Sequence, residues 1–153
     1  MLAISDFTRH ERGPRTFDVW SHATGVETSI GKFEVECIVD TSAQPGAEML
    51  ARLQPVLTFV LEHTDAILRA VYDEYLRACE DVEWMQELGL PMDLAPSDVV
   101  SLLSYRSVCV AHHLDDDPES ETRGPYVHIS PAWDEEHDLF LTVRDGAVER
   151  LEH

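Results

Sequence analysis

Hydrophobic and polar residues change places with two different periods along this chain, and the periods divide it into elements. Phe33, Val35, Cys37 and Val39 alternate with Glu34, Glu36 and Asp40, with Ile38 as the exception. A period of two marks a strand with one face on a core and the other in water. It predicts strands over residues 17–21 and 28–40, with a turn at Gly25 between them. Beyond Gln44-Pro45-Gly46 the period lengthens. Met49, Leu50, Leu53, Val56, Leu57, Val60 and Leu61 form one apolar stripe of a helix, and Ile67, Leu68, Val71, Tyr72, Tyr75, Leu76 and Cys79 form a second. Pro55 withholds a backbone donor, which predicts a kink there or a late helix start. Thr64 is placed to cap the second helix, with Asp65 in the first turn where the helix dipole favours an acid.

Strand signals return after Ala95-Pro96-Ser97-Asp98, which reads as the cap of a short helix ending at Leu103. They cover residues 105–112, 126–130, 139–144 and 147–151, the last two joined by Asp145-Gly146, a strong two-residue hairpin signal. Residues 1–15, with Arg9, His10, Arg12, Arg15 and a Gly13-Pro14 break, read as a polar arm. The short link between the helices favours an antiparallel pair. Strands, then helices, then strands, without regular alternation, predict a single α+β domain over residues 1–150: an antiparallel sheet on two amphipathic helices. Leu151, Glu152 and His153 look like a cloning scar, so the natural chain is expected to end near Arg150.

Composition leaves this plan intact and narrows the partners. A chain of 153 residues with 44% hydrophobic and 27% charged residues has the makings of one core. Thirty acids against eleven bases give a net charge of -19, and Lys32 is the sole lysine. That field repels phosphate backbones and anionic lipid, which argues against nucleic acid and membrane surfaces. It suits solubility, cations or a basic protein partner. Cys37, Cys79 and Cys109 are odd in number, far apart and set in apolar segments, as expected of free thiols in a cytoplasmic protein without a structural zinc site. No apolar run approaches a membrane span. Whether the chain is a monomer or a homodimer stays open.

Candidate chemistry gathers in two places. One is Trp133-Asp134-Glu135-Glu136-His137-Asp138, between two strands. The other is His112-His113, followed by a loop holding Asp115, Asp116, Asp117, Glu119 and Glu121. With His128 on the neighbouring strand, imidazoles and carboxylates could meet at one sheet edge. His112, His113, Asp134, Glu136 and His137 would then suit a divalent metal, bound for its own sake or for hydrolysis. Their spacing matches no H-E-x-x-H or calcium-loop motif. There is neither a nucleophile elbow nor a phosphate-cradling loop, so no catalytic residue and no cofactor is assigned. The second reading makes Asp115, Asp116, Asp117, Glu119, Glu121, Trp133, Glu135 and Asp138 a surface for a basic protein. Trp133 also suits a plug at the end of the sheet.

Over residues 45–150 the chain resembles a family of small bacterial proteins known as a domain of unknown function. The likeness runs from the helix pair through Pro96-Ser97-Asp98, a strand over 106–110 and Tyr126-Val127 to Trp133-Asp134-x-Glu136-His137 and a closing hairpin. That family typically has glycine after the histidine. Asp138 stands there in this chain and changes the turn. Some proteins similar to the family are thought to be immunity proteins of bacterial toxin systems, so the resemblance implies an immunity-type role. Joined to the net charge of -19, the leading expectation is a non-enzymatic protein that masks a basic toxin or similar partner. The resemblance carries over no catalytic residues.

Overall fold

Phe33, Val35, Cys37 and Val39 are all at or near zero exposure, so the alternation between Gly31 and Asp40 does mark the strand on which the core is built. The computed structural model describes residues 1–10, 17–40, 43–111 and 125–151. They form β1 (Phe7–His10), β2 (Phe17–His22), β3 (Val26–Thr28), β4 (Gly31–Asp40), α1 (Ala47–Glu62), α2 (Thr64–Cys79), α3 (Val82–Glu87), a 3-10 helix (Pro96–Leu102), β5 (Leu103–Ala111), β6 (Tyr126–Pro131), β7 (Leu139–Arg144) and β8 (Ala147–Arg150). Together the strands make one eight-stranded sheet in the order β1-β2-β4-β5-β6-β7-β8, with β3 beside β4.

The architecture is α+β, but the sheet is not wholly antiparallel. β4 and β5 run parallel, in the register Val35↔Val108 and Cys37↔Val110, while every other described pairing is antiparallel. A parallel pair needs a crossover, and all three α-helices lie inside this one. On the helix side of the sheet, Val108, Val110, Val127, Ile129, Leu139 and Leu141 extend the core across β5, β6 and β7. Met49, Leu50, Leu53, Val56, Leu57 and Val60 of α1, with Ile67, Val71 and Tyr75 of α2, cover them. Leu61 and Leu76 fall outside this cover and stay exposed.

The segment read as one strand over 28–40 is two, because Thr28↔Gly31 closes a hairpin with β3. β2 and β3 pair with successive stretches of β4, and residues 22–25 stand opposite residues 34–35, two extra residues on one side. Gly25 sits in that excess at φ +62°, and a Cβ there would lie 2.7 Å from the Phe33 carbonyl oxygen. The polar arm contributes β1, paired with β2, and the Leu2 amide donates to Gln54 Oε1 of α1 at 2.8 Å.

Pro55 lies inside α1, which starts at Ala47 and so does not begin late. Thr64 does not cap α2. It is the first residue of that helix, and its hydroxyl donates back to the Val60 carbonyl at 2.7 Å, leaving His63 as the residue between the helices. The hairpin signal is borne out, with Asp145 at φ 51° and Gly146 at φ 75°, both in the left-handed region that a primed two-residue turn requires. Leu151 donates its amide to the Phe140 carbonyl at 2.9 Å, continuing the ladder past Arg150.

Candidate functional site

The turn between β6 and β7 is built from below. Trp133 is buried with its ring centroid 5.6 Å from that of Tyr75, and its carbonyl accepts a 2.8 Å bond from the Trp84 indole of α3. Trp133 is therefore a core residue, the plug at the end of the sheet, rather than part of a contact surface. Its neighbour Ala132 donates to the Leu102 carbonyl at 2.8 Å. With the chain pinned on both sides, Asp134 organises the bend. Its Oδ1 accepts from the amides of Glu136 at 3.2 Å and His137 at 2.8 Å, an Asx-type turn. Glu135, Glu136 and His137 are left exposed on a corner whose backbone is held.

Among the described residues, the imidazoles and carboxylates of this region make two couples. His137 Nδ1 lies 3.6 Å from Asp134 Oδ1 on the corner. His128 Nε2 lies 2.5 Å from Asp138 Oδ2 over the sheet face away from the helices. No group of three or more His, Cys, Asp or Glu side chains arranged to hold a metal occurs among the described residues. His112, His113, Asp115, Asp116, Asp117, Glu119 and Glu121 lie outside the described residues.

The surroundings of His128 follow from register. Ser107 stands directly across from it on β5, and Phe140 on β7. The imidazole stacks on Phe140 at 4.7 Å with 4° between the planes, and meets Tyr105 edge-on at 5.5 Å. Tyr126 meets Phe140 edge-on at 5.7 Å, so an aromatic band crosses β5, β6 and β7 on this face. Ser107 is fully buried, and its hydroxyl has no hydrogen-bond partner among the described residues. Glu36, also on this face, is nearly buried and stands beside Cys109 in the parallel register. Burial, and then the Glu36 charge, push the Cys109 thiol up to about 12. Cys37 on the core side is pushed up to about 12 for the same two reasons. Neither sulfur is a thiolate at neutral pH, which removes both as nucleophiles.

Of the residues read as candidates from sequence, the structure joins Asp134 to His137 and His128 to Asp138. Sequence reasoning missed Tyr105, Ser107 and Phe140 as neighbours of His128. The signal was available in the alternation of β5 and β6, where Val108, Val110, Val127 and Ile129 mark the core side. The intervening residues must therefore share the opposite face.

No curated protein and no solved structure matches the chain. A family model described as a domain of unknown function, DUF6985, matches residues 12–153. The match is wider than the resemblance over 45–150, taking in β2, β3 and β4 as well as the helices and the C-terminal strands.

Proposed function

The chain belongs to the DUF6985 family, and since that description names no activity, we propose from the site that it is a non-enzymatic acidic domain that binds a basic protein, as an immunity protein masks a toxin. The observation that carries this reading is the 134–138 corner. It projects Glu135 and Glu136 from a backbone fixed by Asp134 and anchored by Trp133. Carboxylates carried on a backbone already fixed lose less chain freedom on binding than carboxylates on a loose segment. Behind them stands a net charge of -19, a field that draws cations from solution and speeds association. The 115–121 carboxylates add to the same field by sequence.

The test is kinetic. Association with a basic protein encoded beside this one should slow steeply as salt rises, because the Debye length falls to about 8 Å at physiological ionic strength. Glu135→Gln with Glu136→Gln should lower the low-salt association rate by roughly threefold to tenfold and change dissociation less. A rate indifferent to salt and to both substitutions would remove the corner from the argument. The competing reading, a divalent-metal protein, draws on the His137–Asp134 couple. Heat released on titrating zinc into the isolated protein would favour it.

A further inference from the structure

β8 ends the sheet, and among the described residues no strand pairs with its outer edge. The direction of its backbone groups follows from the ladder. Thr142↔Glu149 and Arg144↔Ala147 are partners, and the Leu151 amide donates to Phe140 O at 2.9 Å. Residues 147, 149 and 151 thus turn their amides to β7. Because alternate residues of an antiparallel strand bond to opposite sides, Val148 and Arg150 direct N–H and C=O outward.

A groove of about 450 Å³ lies between this hairpin and α2. Ala66 and Ala70 of α2 leave it room, and Asp65, Arg69 and Asp73 line it. At its far end Arg150 Nη1 lies 3.2 Å from Glu74 Oε2, which ties the edge strand to the helix. Asp65, Arg69 and Asp73 have no hydrogen bond or ion pair from their side chains among the described residues. They recur every four positions, about 6.0 Å apart along a helix. Alternate side chains of an extended strand are about 6.6–6.8 Å apart. A strand laid along the groove could therefore meet the three charges with three successive alternate side chains.

We propose that the outer edge of β8 is a strand-addition site for an extended segment of the basic partner, a segment with a basic-x-acidic-x-basic pattern. Its backbone pairs with Val148 and Arg150, and its alternate side chains oppose Asp65, Arg69 and Asp73. Main-chain bonds supply affinity in such complexes, and the side chains facing the groove supply selection. The inference rests on the protein-binding reading and adds to it the place and form of the contact.

The probe is a synthetic peptide of about nine residues, threonine and valine with Lys-x-Glu-x-Lys at its centre, and the readout is amide hydrogen exchange of the folded protein. The Val148 and Arg150 amides should exchange about tenfold or more slowly when the peptide is present, and a Glu-x-Lys-x-Glu peptide should leave them unchanged. Val148→Pro should still fold, since that amide lies outside the ladder, and should lose the response. Arg69→Glu should weaken the Lys-x-Glu-x-Lys peptide and accept a Lys-x-Lys-x-Lys one. Glu135→Gln with Glu136→Gln should leave the protection in place. Peptide binding without protection of Val148 and Arg150 would overturn strand addition while the protein-binding reading stood. Protection that grows with protein concentration alone would overturn it in favour of pairing between two copies. No response to either peptide would overturn it too, and would mark the short charged edge as a guard against aggregation.

Discussion

Replacing Tyr75 with alanine should lower the unfolding free energy by about 3–5 kcal/mol, the range for deleting a buried aromatic ring. Tyr75 is fully buried, stacked with Tyr72 at 5.8 Å and set against Trp133. Its hydroxyl donates to the Pro91 carbonyl at 2.7 Å and accepts from the Leu94 amide at 3.2 Å, while Tyr72 donates to the Leu94 carbonyl at 3.0 Å. One ring therefore ties α2 both to the end of the sheet and to the segment leading into the 3-10 helix. Tyr75→Phe keeps the ring and removes two hydrogen bonds from part-buried groups, the Pro91 carbonyl and the Leu94 amide, at a cost of about 1–2 kcal/mol. Urea unfolding separates the contributions, with the alanine variant well below the phenylalanine variant. Similar midpoints for the two would show that the ring fills little and that the hydrogen bonds carry the position.

The second large effect is a loss of stability in alkali. Cys37 and Cys109 are both pushed from the ordinary 9.0 to about 12, by burial first and the Glu36 charge second. Burial likewise raises Tyr75 above 10.0. In each case the folded state keeps a proton that the unfolded chain gives up sooner. The stabilisation is thus complete below the ordinary pKa and is lost as pH climbs towards the folded value. At about 1.4 kcal/mol per unit, the Cys37 shift is on the order of 4 kcal/mol, a large part of a typical domain's stability. Cys109 is raised to the same value with burial again the leading cause, so it acts in the same direction over the same interval. The urea midpoint should fall steeply between about pH 9 and pH 12, and Cys37→Ala should flatten the fall while costing some stability at neutral pH. A midpoint level across that interval would show that the thiols titrate alike in both states.

How far these features could be read beforehand depends on how local their causes are. The β7–β8 hairpin was legible to the residue at its turn, because left-handed backbone at Asp145 and Gly146 is a local demand. The helix stripes were legible from the 3.6 period, although Leu61 and Leu76 show that an apolar stripe can run wider than the surface that covers it. The parallel β4–β5 pairing was not legible, since nothing in the alternation of β4 says which strand lies on its far side. Glu36 gave no sign of it either, since its place in the alternation reads as a water-facing acid and its burial appears only in the structure. β1 was missed because the polar residues of an edge strand resemble those of a loop. Thr64 was misread because its hydroxyl had two acceptable uses, and the preceding helix offered Val60 O as acceptor. At the site, the Asp134–His137 couple is a three-residue matter and lay within reach. His128–Asp138 depends on how β6 and β7 come into register across the corner, which local pattern does not encode.

The single parallel seam also orders events in time. β1 to β4 and β5 to β8 are each stitched by neighbours in sequence, but the two halves meet only after 62 residues, from position 41 to position 102, have been looped back. Closing a loop of that length costs about 3 kcal/mol more chain entropy than closing a two-residue hairpin. The hairpins are therefore free to form and dissolve many times before the seam closes, and its closure sets the folding rate. Truncating Val108, at the seam, should slow refolding, whereas truncating Val143, in the last hairpin, should chiefly hasten unfolding. Equal effects of both truncations on refolding would mean that the halves assemble together.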